Sequence, residues 1–310
     1  MSTTYQTPES KPAPQSSAAV PPPSVSAVRS SGFRKPKLSA VLLFLLACAG
    51  AVFTLIPFYM MLTLSLKTPA EIAQSPWTLP KSPQWINYAE AWHVPGTDVS
   101  FGIFFQNTLI IAVLTTVGTT ISSSMVAFGF ARLRFPGRDQ LFVLLLATMM
   151  LPGIVTLIPS YIGFRYLDWI DTLYPLIVPA FFAGAFNVFL LRQFFLTLPR
   201  ELDEAARLDG ATYFDIYWKV LLPLCKPALI TVALFAFISS WKDLMGPLIY
   251  LNSVEHQTLE LGLRTFQTIH GTDWQYLMAG SVFVLIPLLV LFFVGQRYFI
   301  KGIVMTGLKD

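Results

Sequence analysis

A chain of 310 residues, 54% of them hydrophobic and only 12% charged, with a mean hydropathy of +0.60, is too apolar for a water-soluble domain, where about a quarter of residues carry charge. The net charge of +4 is modest, and no run of basic residues interleaved with aromatics points to nucleic acid. Two cysteines, Cys48 and Cys225, are too few for a disulfide framework. Residues 1–37, rich in Pro, Ser, Ala and Thr, cannot bury enough apolar surface to fold, and are expected to form a disordered cytoplasmic tail ending in Arg34-Lys35-Pro36-Lys37. The stretch Leu45-Leu46-Ala47-Cys48 faintly matches a lipoprotein cleavage site, but the run around it stays uncharged from 38 to 66, far past a signal-peptide core of about 7–15 residues.

Six runs are long and apolar enough to span a bilayer: 38–66, a stretch within 103–131, 140–164, 172–191, 227 to about 251, and 274–296. The first contains Pro57. The second is rich in hydroxyls at Thr115, Thr116, Thr119, Thr120, Ser122, Ser123 and Ser124. The third is interrupted at Leu151-Pro152-Gly153 and Pro159, and the sixth contains Gly280 and Pro287. Such interruptions fit hinges and simple curvature equally. Six spans place both termini on one side. With the N-terminus inside, sixteen of the 21 basic residues fall on the inner side and only Lys67, Lys81, Arg165 and Arg264 outside, with Lys242 left in the membrane. That asymmetry predicts an all-α integral membrane protein with both termini cytoplasmic, residues 38–310 forming one six-span domain. The outer segments carry Trp77, Trp85, Tyr88, Trp92, Trp169 and Trp274, aromatics suited to an interface, and short amphipathic helices are expected over 67–102. His93, His256 and His270 fall outside with no metal-ligand spacing, so no metal is expected.

The most charged internal stretch, 197–226, reads as two short helices on a cytoplasmic loop. Pro199 suits a first helical position, and Glu201, Asp203 and Glu204 place negative charge at the positive end of the helix dipole. Gly210 is expected to end the first helix in the left-handed conformation, with Thr212 and Asp215 forming a capping box for a second that starts at Tyr213 and stops before Pro223. The run Glu204-Ala205-Ala206, three residues, Gly210, nine residues and Val220-Leu221-Leu222-Pro223 resembles the EAA loop of the membrane subunits of bacterial ABC importers, departing only at Val220, where isoleucine is usual. The segments WTLPKSPQWINYAEAW, FARLRFPGRD, SSWKDLMGPLIYL and QRYFIKGIVMTGLKD are similar to the carbohydrate branch of that family, specifically its second permease, the maltose-system G-type subunit. Lys242 departs from that branch, which commonly has Asn there.

The resemblance implies a type I ABC importer permease fold in the bacterial plasma membrane, importing a sugar or sugar-like solute. Glu204, Ala205, Ala206, Asp209, Gly210 and Pro223 would then form the surface that docks on an ATPase. It also implies the partners: a second homologous permease, two ATPase subunits holding ATP and Mg, an extracytoplasmic solute-binding protein, and membrane lipid. In agreement, the chain has no G-x-x-x-x-G-K-[ST] phosphate loop, nucleophile elbow, H-E-x-x-H or C-x-x-C, so no catalytic residue and no cofactor of its own are expected. Polar positions inside apolar runs are the candidates for a solute path. Lys242 and Asp243 follow an uncharged stretch that rises about 22 Å as a helix, and either line a path or anchor the span at the outer interface. Asn187 and the hydroxyl stripe are further candidates, though hydroxyls and amides also serve as links between helices. Two other classes stand as alternatives: an ion-coupled secondary transporter, for which Asp243 alone is a poor coupling residue, and an integral-membrane enzyme, for which no cluster of His, Asp and Glu gathers at one depth.

Overall fold

The computed structural model describes residues 38–93, 98–268 and 271–306. The expected tail 1–37, His270 and the last four residues lie outside them. The chain falls into two compact units, Met1–Thr54 and Leu55–Asp310. In the first, the described residues form the opening part of helix α1 (Leu38–Leu64), and each of them is exposed. Thr54 Oγ1 donates back to the Gly50 carbonyl at 2.7 Å, so even its hydroxyl is satisfied within the helix.

Among the described residues, the regular structure of the second unit is helical apart from the short strands β1 (Gln267–Thr268) and β2 (Gly271–Thr272), which pair antiparallel, and an isolated bridge between His93 and Ser100. The short helices α2 (Pro69–Gln74) and α3 (Ile86–Ala91) occupy the aromatic-rich segment where such helices were expected. Lys67 is fully buried beside them. Its ammonium donates to the Ser75 and Pro76 carbonyls at 2.7 and 3.1 Å, which closes the segment around it. Helix α4 (Phe101–Arg132) is the axis of the unit and packs against α8 (Ala185–Thr197) and α12 (Lys226–Trp241). Its first turns, through Phe101 and Phe104, join a buried cluster with Trp241, Leu259, Phe266 and Ala279. Its last turns, through Ala127, Phe128 and Ala131, join another with Val188, Leu191, Phe195, Ile216, Tyr217 and Leu221. Its 32 residues rise about 48 Å, so a single helix contributes to both clusters.

Four helical stretches are long and apolar enough to cross a membrane, and six if each of two bent pairs counts as one span. The third expected span is one of these pairs: α5 (Arg138–Thr148) and α6 (Gly153–Tyr166) meet at 95°, the break falling at the predicted Leu151-Pro152-Gly153. Pro159, Gly280 and Pro287 instead remain inside helices, the last two in α15 (Trp274–Thr306). The fourth stands as one apolar stretch, Tyr174–Thr197, but its helix is interrupted within it, into α7 (Tyr174–Ile177), a tight 3-10 turn Val178–Phe182, and α8. Pro179 cannot donate within a helix, and Ala183 takes a left-handed φ of 58°. The hydroxyl stripe of α4 satisfies the backbone groups this break frees. Ser122 Oγ donates to the Ala180 carbonyl and accepts from the Ala183 N–H, both at 3.2 Å. Gly118 permits the close approach, since a Cβ there would stand 2.7 Å from the Phe181 ring.

The fifth expected span, 227 to about 251, is corrected by the structure. Helix α12 stops at Trp241, and α13 (Met245–Tyr250) follows separately. Asp243 Oδ1 accepts from the Gly246 N–H at 3.1 Å, a local side-chain turn that competes with helix continuation. At its other end α12 meets the helical stretch Tyr213–Leu224 at 80°.

The loop between α6 and α7 is tied to the segment after α13 by Asp171. Its carboxylate accepts from the Asn252 and Ser253 N–H groups at 2.9 and 2.8 Å, from the Ser253 hydroxyl, and faces His256 Nδ1 at 3.3 Å. Burial pushes this carboxyl up, but the Ser253 hydroxyl and N–H, the Asn252 N–H and His256 together hold it well below the usual carboxylate range. A depressed folded-state value stabilises above the unfolded value of about 3.9 and is lost as pH falls toward the folded one. Asp171→Asn is therefore expected to lower the apparent melting temperature of the purified protein at pH 7 by about 3 °C. Thermal scans down the acid limb should show the gap to wild type narrowing below about pH 4.

Candidate functional site

Two sites emerge, one on the acidic loop and one between α4, α8 and α12. The first is the acidic loop. Helix α9 (Glu201–Leu208) begins two residues after Pro199 rather than at it. It ends in a Schellman motif: Gly210 has φ +82°, its N–H donates to the Arg207 carbonyl at 3.0 Å, and Ala211 N–H donates to the Ala206 carbonyl at 2.9 Å. The Thr212–Asp215 capping box opens α10 (Tyr213–Asp215) as predicted. Lys219, 2.6 Å from Asp215, and the Thr212 bonds pull that carboxyl down to about 2, so the box stays charged at neutral pH.

The predicted stop before Pro223 is contradicted. The chain continues through a π-helical stretch, Ile216–Leu221, into α11 (Leu222–Leu224), and turns only at Cys225. The wider turn keeps the proline ring clear of the carbonyl four residues back. It is held by Ile216, Tyr217 and Leu221, which are buried, and by a 2.7 Å hydrogen bond between the Tyr217 and Ser124 hydroxyls.

The structure divides the residues singled out in this loop. Ala206, Asp209 and Gly210 line a groove of about 400 Å³ with Asp215 and Lys219. Ala206 also packs inward on the cluster beneath, whereas Ala205 is exposed. Glu204 faces a separate hollow of about 340 Å³ with Arg132, Arg134, Arg200, Asp203 and Arg207. Pro223 lines neither. Leu208, at the tip of α9, is 90% exposed, and Phe214 and Trp218 stack on each other at the surface nearby. Sequence reasoning placed Asp203 at a helix N-terminus but missed its partnership with Arg132, which joins residues far apart in the chain. Arg132 Nη2 donates to the Leu198 carbonyl at 3.0 Å, and its Nε lies 3.5 Å from Asp203 Oδ2. Burial pushes the Asp203 carboxyl up, and Arg132 opposes it.

The second site is a cavity of about 650 Å³ lined by Thr115 and Thr119 of α4, Asn187 of α8, Ser239 and Ser240 of α12, and Asp243, with Phe186 and Phe235 among its apolar walls. Hydroxyls, an amide and one carboxylate converge between three helices, a wall suited to a hydrogen-bonding solute. Asn187 and Asp243 are thus brought together as candidates for a path, but Lys242 is not. As the residue that caps α12 it is exposed, and its charge acts on Glu260 of α14 (Leu259–Gly262) instead. Neighbouring residues where a helix ends diverge, which separates Lys242 from Asp243. Spacing carried part of this signal, because Thr115 and Thr119, four apart, share a helix face.

Residues 120–304 match the model of the family described as binding-protein-dependent transport system inner membrane component. The chain is 36% identical over 258 residues to the arabinooligosaccharides transport system permease protein AraQ of Bacillus subtilis (strain 168), covering 82% of this chain and 90% of the relative. It is 33% identical over 260 residues to the sn-glycerol-3-phosphate transport system permease protein UgpE of Yersinia pestis bv. Antiqua (strain Antiqua), covering 82% and 92%. Among solved structures it resembles a chain of a bacterial ABC transporter involved in the import of the acidic polysaccharide alginate, with a TM-score of 0.74 and 24% identity over 86% of this chain and 99% of that one.

Proposed function

The chain belongs to the binding-protein-dependent transport system inner membrane component family and is a multi-pass permease of an ABC importer, and from that premise we propose how its two sites divide the work. The acidic loop docks on an ATPase partner on the cytoplasmic side, and the polar cavity is this subunit's share of the solute path. Two ATPase subunits hold ATP and Mg and carry out hydrolysis, while this subunit converts their closure into movement. A second homologous permease supplies the rest of the path, and an extracytoplasmic solute-binding protein delivers the cargo. The cargo is a sugar or sugar-like solute, a reading supported by the names of the relatives AraQ and UgpE and by the hydroxyl-, amide- and carboxylate-lined wall.

One observation carries the coupling role. Helix α9 is an acidic knuckle with Leu208 exposed at its tip, yet Ala206 and Ala211 behind it pack on the cluster shared by α4, α8 and α12. Glu204, Ala205, Ala206, Asp209 and Gly210 form the docking surface, and Pro223 shapes the turn from the loop into α12. A partner that moves the knuckle moves the helices lining the cavity. The energetics are those of a two-state equilibrium between inward-open and outward-open forms, biased by nucleotide bound to another subunit. Mild detergent extraction should bring this chain out with one further permease and two ATPase copies. Extraction as a lone chain that drives uptake from an ion gradient would overturn the proposal.

A further inference from the structure

The hollow behind α9 is more basic than its own carboxylates can neutralise. Arg132, Arg134, Arg200 and Arg207 face Asp203 and Glu204 across about 340 Å³. Arg207 is already engaged, lying 4.6 Å over the Tyr213 ring and donating to its hydroxyl. Arg132 is engaged only in part. Its side chain is 3% exposed, one terminal nitrogen reaches the Leu198 carbonyl, and its Nε, ion-paired with Asp203 Oδ2 at 3.5 Å, still makes no hydrogen bond. Asp203 Oδ1 is likewise buried without a partner. A buried guanidinium N–H that is ion-paired but not hydrogen-bonded keeps part of its desolvation penalty, which an entering acceptor would reduce.

We propose that this hollow binds a phosphoryl anion, held by Arg132, Arg134 and Arg200. Guanidinium forks match the oxygens of a phosphoryl group in charge and in geometry, and a guanidinium already out of water binds more tightly than one at the surface. Asp203 Oδ1 fixes the orientation, accepting from a protonated phosphate oxygen or from a hydroxyl on the headgroup that bears the phosphate. A phospholipid headgroup and free phosphate share this chemistry. Arg132 ends α4, Arg134 follows it, and Arg200 caps α9, so the bound anion ties the acidic loop to the axial helix. Occupancy of the hollow then sets how stiffly the loop is coupled to the membrane helices.

The test uses the complete transporter, with its partner subunits, in lipid discs. One arm compares discs of phosphatidylcholine alone with discs that also contain phosphatidylglycerol, and counts retained phosphatidylglycerol by native mass spectrometry. The other titrates inorganic phosphate into the neutral discs at constant ionic strength and follows thermal unfolding. Each arm is run on wild type and on Arg134→Gln/Arg200→Gln, whose substituted side chains are exposed, so that phosphate bound by the ATPases cancels. The expected result is one more retained phosphatidylglycerol per copy of wild type, or a phosphate midpoint at least about tenfold lower in wild type. The first outcome identifies a lipid headgroup and the second a free anion. Identical behaviour of wild type and variant in both arms overturns the site.

Discussion

Gly210→Asp is expected to abolish ATP-dependent uptake while leaving the chain folded, inserted and present at the wild-type level. The expectation combines two observations. Gly210 has φ +82°, and nothing lies within 4 Å of where its Cβ would sit. An L-residue can therefore occupy the position at a backbone cost of roughly 1 kcal/mol, and aspartate tolerates the left-handed region better than most. The fold does not collapse. What changes is the groove outside: a third carboxylate joins Asp209 and Asp215, and new atoms stand where a partner surface would close on the turn. Gly210→Ala carries the same backbone cost without the charge, and should keep a measurable fraction of uptake. Glu204→Lys should match Gly210→Asp, because it reverses charge on the same knuckle. The decisive readout is uptake together with transport-stimulated ATPase activity at equal expression. Wild-type values of both in Gly210→Asp would remove the residue from coupling.

Which features could be read from sequence follows from how local their causes are. The end of α9 at Gly210 and the Thr212–Asp215 box were legible because caps are satisfied within a few residues of the chain. The break at Pro152-Gly153 was legible for the same reason. The passage of the helix through Pro223 was not, because the π-helical stretch before it depends on Ile216, Tyr217 and Leu221 packing against α4 and α8. The stop of α12 at Trp241 was missed because apolar residues resume after Lys242-Asp243 and run to 251, and composition does not separate one long helix from two shorter ones. The polar cavity lay between these extremes. Thr115, Thr119, Asn187 and Asp243 were singled out and Ser239 and Ser240 were not, and the convergence of α4, α8 and α12 on Asp243 is tertiary. The pairing of Arg132 with Asp203 gave no local signal at all.

The cavity itself yields the second large effect. Ser239→Trp should reduce uptake at least about a hundredfold, with protein level and basal ATPase activity of the assembled transporter retained. Ser239 is exposed to the cavity from the last turn of α12, so the largest side chain placed there extends into open space rather than into packed core. Ser239→Ala removes only a hydroxyl and should leave uptake within about threefold, since one hydrogen bond to a solvated partner contributes little net. Asp243 then separates chemistry from scaffolding. Its Oδ1 caps the turn into α13 through Gly246, where a Cβ would meet Asp243 Oδ2 at 2.5 Å and Leu176 at 2.7 Å. If Asp243 only holds that turn, Asp243→Ala lowers the protein level and leaves the apparent affinity for solute unchanged. If its carboxylate also reaches the solute, as its place on the cavity wall favours, affinity falls at equal protein level. Asp243→Asn, which keeps the acceptor oxygen for Gly246 but loses the charge, should then fall between the two. Ser239→Trp at wild-type uptake would show that solute does not pass this wall, whatever Asp243 does.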